Sequence, residues 1–396
     1  MSLPILNFLS TGHGPGSFIF DAAWLPALRA TGRYRHRWAN PCRNPQQSSE
    51  VAAALDISPS NTGSNFALLL EAALKFDRDL VVTITTPTSV HPSQINEAAR
   101  LGVKFILCDK PVVSSAKEYK SVASAVADTQ VVVTFNHRYN GPVFAIRELI
   151  QQRGYQQVES VQAWFLQGWL QNDPKIRQSD WRLSHPWCAL LDIGTHAMDL
   201  ASFVTSSDLV EVTMSSLGTA GAHGKNVYDN GTQVVQLEHG IPASISYHQA
   251  MPGKVDDIGV WVKFRDGFSV MWRMEWGTES LFTSNKPNPD HDSRADWQCQ
   301  LRGAGDLFSS EVNSAFGLTP PGHIQGWPDY WRYLFFSSYR HFLLNGGNAS
   351  ESDLPAHMKL PVPLLQDAGK NTTSFAEAAD RSFQSGRPVT AESIWA

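Results

Sequence analysis

Asp192 and His196 stand four residues apart in a run, Cys188 to Val204, whose apolar spacing predicts a helix. Both side chains then leave one helix face and can meet a common ligand. A histidine beside a carboxylate is a candidate general base near neutral pH. The plainer alternative is a helix histidine held by a neighbouring acid. Lys110 is a third candidate. It follows a strand-like run, Val103–Cys108, and Pro111 disfavours helical backbone at the residue before it. At a strand's carboxyl end its ammonium could exchange a hydrogen bond or a proton with a substrate hydroxyl; a solvated loop lysine is the alternative.

A second kind of chemistry is suggested near the N-terminus. The apolar run Ile5–Leu9 leads into Gly12-His13-Gly14-Pro15-Gly16-Ser17, and helical spacing follows at Phe18, Ala22, Leu25 and Leu28 until Gly32. Strand, glycine loop and helix is the arrangement that takes a dinucleotide pyrophosphate: glycines allow a tight turn and close backbone approach, and the helix N-terminus favours the anion. Ser17 stands where a third small residue is needed for helix and strand to pack. A glycine-rich turn after any strand looks similar, so the motif alone is weak. An acid about 20 residues on is usual where ribose hydroxyls are bound. Here that stretch holds Asn40 and Arg43 but no acid before Glu50, which leans toward NADP over NAD. The alternative for Arg33, Arg35, Arg37 and Arg43 is a solvated basic edge.

The elements that must position these residues alternate through the first third. Leu80–Thr85 reads as a strand ending in Thr86-Pro87, and His91–Arg100 as a helix stopping at Gly102. Val103–Cys108 is a strand ending in Asp109-Lys110-Pro111, followed by a helix over 115–127. Val131–Phe135 is a strand ending in Asn136-His137-Arg138-Tyr139. Alternation of this length implies a parallel sheet, whose ligands lie beyond the carboxyl ends of the strands. Each polar cluster just named is at such an end. After Pro142 and a helix over 143–152 the pattern changes to longer segments with period-2 alternation: 158–166, 210–217, 232–238, 241–249, 258–264 and 268–274. These predict a largely antiparallel sheet. An α/β chain of two domains follows, with a boundary near residue 140, giving 1–140 with the nucleotide motif and 141–396 with the longer strands.

Composition removes several function classes. The chain has 396 residues, 42% of them hydrophobic, and a net charge of −5, which suits two folded domains rather than disorder. No basic excess exists to neutralise phosphates, so nucleic acid is not an expected partner. Cys42, Cys108, Cys188 and Cys299 form no CxxC pair, so a reducing cytoplasm is the expected setting. No run reaches the roughly 18 apolar residues that a membrane-spanning helix needs. A zinc site of His185, Cys188, Asp192 and His196 would lack any known ligand spacing.

Asp109-Lys110-Pro111 after a strand and Asp192-Ile193-Gly194-Thr195-His196 on a helix resemble the Gfo/Idh/MocA oxidoreductases. The likeness extends along nearly the whole chain, through Gly12-His13-Gly14-Pro15-Gly16, Thr86-Pro87 with His91, Gln167-Gly168-Trp169-Leu170, Trp181-Arg182 and Gly322-His323-Ile324-Gln325-Gly326-Trp327. It implies an N-terminal Rossmann domain and a C-terminal α/β domain with a large, mostly antiparallel open sheet, assembled into homodimers or homotetramers. It also implies hydride transfer between NAD or NADP and a carbinol carbon of a sugar, cyclitol or related polyol. By this resemblance Lys110, Asp192 and His196 are the catalytic residues, with the base role open between His196 and Lys110. Gly12, His13, Gly14, Pro15, Gly16, Ser17, Asn40, Arg43, Thr86, Pro87, His91, Asp109, Lys110 and Asn136 would meet the cofactor. Substrate contacts would come from Lys110, Asn136, Gln167, Trp181, Arg182, Asp192 and His196, with His137, Tyr139, Trp164 and Gln249 next. Two departures stand out. Asp109 replaces the more common glutamate, and Pro186-Trp187-Cys188-Ala189 brings bulk where a glycine-rich approach is usual. That bulk keeps open a non-catalytic sensor on the same fold; a glycoside hydrolase using transient oxidation is a third alternative.

Overall fold

The computed structural model describes residues 3–12, 20–40, 48–168, 186–219, 227–251, 256–275, 278–284, 298–301, 327–347, 349–350 and 360–396. They form two compact units, Met1–Asn136 with Pro328–Lys370, and His137–Trp327 with Asn371–Ala396.

In the first unit, β1 (Leu6–Thr11), β2 (Tyr34–Asn40), β3 (Val81–Ile84), β4 (Phe105–Cys108) and β5 (Gln130–Val133) make one sheet in the order β2-β1-β3-β4-β5. Every pairing is parallel. Helices α1 (Leu25–Thr31), α2 (Ser48–Leu55), α3 (Phe66–Phe76), α4 (His91–Arg100) and α5 (Ala116–Ala125) connect the strands. The central strands β3 and β4 are buried at every residue, as a sheet covered on both faces requires. Asn65 and Ser115 accept from the main chain of Leu68 and Glu118, so α3 and α5 each start at a side-chain cap.

The expected single cut near residue 140 is not what the structure shows, because the chain returns to the first unit for Pro328–Lys370. Aromatic burial accounts for this. Phe342 stacks on Phe105 of β4 at 4.6 Å, and Tyr34 of β2 donates to the Phe335 carbonyl at 3.0 Å. Such long-range packing leaves no mark in local periodicity.

Among the described residues, nine strands build the second unit. β6 (Val158–Gln167), β7 (Leu209–Gly218), β8 (Asn230–Leu237), β9 (Ile241–His248), β10 (Asp256–Phe264), β11 (Ser269–Glu275), β12 (Thr278–Ser284), β13 (Gln298–Leu301) and β14 (Val389–Thr390) lie in the order β13-β12-β11-β10-β6-β9-β8-β7-β14. All pairs are antiparallel except β6 with β9. Alternation along β8 and β9 buries Gln233, Val235, Leu237, Ile241, Ala243, Ile245 and Tyr247 on one face. Helix α6 (Gly141–Arg153) and a buried helix covering that face belong to the same unit. The buried helix opens as a π turn, Leu190–Gly194, and continues as α7 (Thr195–Thr205). Among the described residues no helix is long and apolar enough to cross a membrane.

Candidate active site

In the first unit β1 and β3 are neighbours in space but not in sequence, which puts the sheet's switch point between their carboxyl ends. Gly12 follows β1 there with φ +88°. A Cβ at this position would lie 2.6 Å from the carbonyl carbon and oxygen of Thr85, so only glycine fits. Thr85 Oγ1 donates to the Thr11 carbonyl at 2.7 Å and fastens the two strand ends. Gln94 of α4 does the same through side chains: its Oε1 accepts from Thr86 Oγ1 at 2.7 Å and from Thr11 Oγ1 at 3.4 Å. Sequence reasoning missed Gln94, because a helix glutamine has no signature of its own. Pro87 begins the turn into α4. Asn40 ends β2, where an acid would otherwise serve a ribose, and its Nδ2 donates to the Gly63 carbonyl at 2.6 Å. His13, Gly14, Pro15, Gly16, Ser17 and Arg43 lie outside the described residues.

The Lys110 turn is braced from below. His91, buried at the start of α4, sets Nε2 2.6 Å from the Thr86 carbonyl and Nδ1 3.1 Å from the Pro111 carbonyl. Burial lowers its pKa, with Asp109 and the carbonyls acting the other way. Both ring nitrogens face main chain, so His91 braces the turn rather than presenting itself to a cofactor. The Lys110–Pro111 peptide is cis. Asp109 Oδ1 accepts from the Lys110 main-chain N–H at 2.9 Å and from Thr134 Oγ1 at 3.3 Å, which orients the turn that carries the half-buried Lys110. Asn136 is buried, and its Nδ2 has no hydrogen-bond partner among the described residues. A nicotinamide dinucleotide fits these features: the glycine at the strand crevice permits close backbone approach, and the orphaned Asn136 amide is a donor awaiting an acceptor.

In the second unit Asp192 lies in the π turn and His196 in the first turn of α7, both 5% exposed. The His196 ring meets His137 edge-on at 4.9 Å and Phe165 at 5.6 Å. His137 is held in place through its neighbour. Arg138 grips Asp199 of α7 with two bonds, 2.7 and 2.5 Å, and lies 5.1 Å over the Phe203 ring. Burial raises the Asp199 pKa against the pull of Arg138, so this pair is made at a desolvation cost. Gly194 of the Asp-Ile-Gly-Thr-His sequence has an ordinary helical φ of −61°; what it supplies is space, since a Cβ there would lie 2.8 Å from the Tyr247 ring.

Asp192 is anchored by Gln249, whose Nε2 donates to Oδ2 at 2.6 Å. Gln249 Oε1 in turn accepts from the Cys188 thiol at 2.9 Å. The bulk at Trp187-Cys188 is therefore taken up inside the unit: Cys188 is fully buried behind Gln249, and the Trp187 indole donates to Asp380 at 2.9 Å. Gln167 sits at the end of β6 opposite Asp256, and its Nε2 donates to Asp256 Oδ1 at 2.5 Å. Asp256 escaped sequence reasoning because only strand pairing brings it to this place. Trp164 points to the opposite sheet face from Phe165 and donates to Asp257 at 2.8 Å; Tyr139 packs near Phe144. Trp181, Arg182 and His185 lie outside the described residues, among which no three His, Cys, Asp or Glu side chains could hold a metal.

Two family models match the chain in succession. Residues 31–137 match the oxidoreductase family with an NAD-binding Rossmann fold, and residues 143–268 the GFO/IDH/MocA C-terminal domain. Levoglucosan dehydrogenase of Pseudarthrobacter phenanthrenivorans is 30% identical over 167 residues, 41% of this chain and 40% of the relative. The 1,5-anhydro-D-fructose reductase of Ensifer adhaerens is 26% identical over 212 residues, 50% of this chain and 60% of the relative. The alignments thus span about half the length of these curated relatives. The inositol dehydrogenase homolog of Azotobacter vinelandii complexed with NAD+ superposes with TM-score 0.77 at 18% identity, over 98% of this chain and 97% of that one. Levoglucosan dehydrogenase in complex with NADH and levoglucosan gives 0.72 at 19%, over 98% and 99%. With both of its halves matched in order and the paired sheets of its fold in place, the chain belongs to the Gfo/Idh/MocA oxidoreductase family.

Proposed function

We propose that the protein is a nicotinamide-dependent dehydrogenase or reductase acting on a carbinol carbon of a sugar, anhydrosugar or cyclitol. The observation that carries this is the Asp192–His196 turn, held by Gln249, Arg138 and a ring cluster, in a chain whose other unit has glycine-closed strand ends. The relatives named for levoglucosan and 1,5-anhydro-D-fructose support a polyol of ring form.

A nicotinamide dinucleotide, when bound, supplies the hydride acceptor or donor. Gly12, Thr86 and Asn136 are proposed to hold it, together with the glycine loop that follows Gly12. His196 takes the hydroxyl proton during oxidation, and Lys110 hydrogen-bonds the same oxygen as charge develops on it. Asp192 orients His196 or grips a neighbouring hydroxyl. Asn40 at the end of β2 places an amide where a carboxylate would repel a 2′-phosphate, which supports NADP over NAD. We further propose a cytoplasmic homo-oligomer.

Reduced-nicotinamide absorbance, with both nucleotides and a panel of anhydrosugars, aldoses and inositols, tests the reading. The expected result is turnover of one polyol class with NADP+ preferred, falling about 10²–10⁴-fold in Lys110→Ala and in His196→Ala. Equal turnover by the variants, or none by folded wild type, would overturn it.

A further inference from the structure

Asp256 and Asp257 are adjacent acids at the start of β10, and the pleat sends them to opposite faces of the nine-stranded sheet. Asp257 is satisfied on its side by Arg273, at 3.0 and 2.8 Å, and by the Trp164 indole at 2.8 Å. Asp256 shares its face with Ile258, which is paired with Phe165, the ring that touches His196. On that face Tyr247, Phe165 and Ile258 form one row across β9, β6 and β10. One rung further out β6 and β10 present Gln167 and Asp256, and Gln249 follows two residues after Tyr247, just past the end of β9.

Each of the two glutamines holds one carboxylate, Gln249 on Asp192 and Gln167 on Asp256. Asp256 has one oxygen taken by Gln167, while Oδ2 has no hydrogen-bond partner among the described residues. The two acids repel: burial raises the pKa of Asp256 to about 6, and the charge of Asp192 adds to that rise. Two buried carboxylates that feel one another's charge, each with an amide behind it, are matched by a ligand that brings O–H donors to both.

We propose that Asp256, set by Gln167, is a second substrate-binding carboxylate that accepts a hydrogen bond from a polyol hydroxyl neighbouring the one held at Asp192, and so selects substrates with adjacent free hydroxyls. This rests on the polyol reading given above. As an acceptor, Asp256 must be ionised, so polyol affinity is full above pH 6 and declines as the pH falls through that value.

Asp256→Asn keeps the shape and an acceptor for Gln167, and it relieves the repulsion with Asp192. Levoglucosan and myo-inositol are the probes, followed both by turnover with NAD+ and NADP+ and by calorimetric binding to the protein with reduced nucleotide. The expected result is a KM and Kd raised roughly 10- to 100-fold with kcat within about threefold. The wild-type loss of affinity below pH 6 should be absent from the variant. Turnover by wild type with KM, Kd and their pH dependence unchanged in Asp256→Asn would overturn the role of Asp256 and leave the dehydrogenase reading intact. Polyol binding without turnover, weakened in the variant, would uphold Asp256 and remove the dehydrogenase reading. Failure of both probes to bind wild type would overturn the proposal.

Discussion

In the first unit the groups proposed to meet a ligand are set by main chain: a glycine pressed against Thr85, a turn braced by His91 between two carbonyls, and the ends of parallel strands. In the second they are side chains set by other side chains, Asp192 by Gln249, Asp256 by Gln167, and His137 through the Arg138–Asp199 pair. The difference predicts different kinds of damage. A change in the first unit should move backbone and cost ligand binding directly. In the second, a distant partner should matter as much as the residue it holds.

Arg138→Met is expected to have the largest effect on stability. Removing the guanidinium leaves Asp199 charged and buried, and breaking such a pair costs roughly 3–5 kcal/mol. Denaturant unfolding would measure it. Restoring much of the loss with Asp199→Asn in the same chain would show that the orphaned charge is the cause. A loss below about 1 kcal/mol would mean that the pair does not anchor α7.

Gly12→Ala tests the opposite region. Both the positive φ and the approach to the Thr85 carbonyl penalise a methyl group, so the strand end must shift at a cost of roughly 1–3 kcal/mol. Nucleotide affinity, read by quenching of tryptophan fluorescence, should fall with it. Gln94→Met removes a side-chain tie between β1 and β3 and should affect nucleotide affinity far less. Equal losses in the two variants would erase the contrast between the regions.

Gln249→Leu should cost about 1–3 kcal/mol, since it leaves a buried carboxylate oxygen of Asp192 without its donor. Cys188→Ala should cost about 1 kcal/mol, with Cys188→Ser recovering part of it through a hydroxyl donor. Both should lower kcat, because the orientation of Asp192 depends on them.

The same contrast explains what was legible in the sequence. Features set by main chain leave short-range marks: Gly12 at the end of an apolar run, Lys110 before a proline, and the 3.6-residue spacing that predicts α4 over His91–Arg100, where the structure has it. Asp192 and His196 were visible because one helix turn separates them. Partners supplied by sheet pairing leave no such mark. Gln249 and Asp256 are 57 and 64 residues beyond Asp192, and only the parallel pairing of β6 with β9 and the antiparallel pairing of β6 with β10 brings these strand ends into one sheet. β2 was also unpredicted: its arginines at 35 and 37 and His36 hide the strand, which lies at the sheet edge where charged side chains can reach water. Helix 327–345 was overlooked because its aromatic run is apolar on nearly every side, as a helix buried all round must be.

His91 gives the smallest effect and the finest test of the braced turn. Burial holds its ring neutral, so its pKa in the fold lies below the ordinary 6.5. Below that pH the unfolded chain binds a proton that the folded chain does not take. The ring's contribution to stability is therefore complete above pH 6.5 and is lost as the pH falls. Its size is limited to roughly 1.4 kcal/mol per pH unit. Other groups titrate in the same range, His248 and His341 with lowered pKa in the same sense and Asp256, raised to about 6, in the opposite one, so the comparison is between wild type and His91→Gln, which keeps a donor for one carbonyl but has no charge to gain. Thermal midpoints taken from pH 7.5 to 5.5 should fall more steeply in wild type than in the variant. Parallel curves would mean that His91 takes up its second proton inside the fold and bonds both carbonyls as a cation, in which case the Lys110 turn is held by charge as well as by main chain.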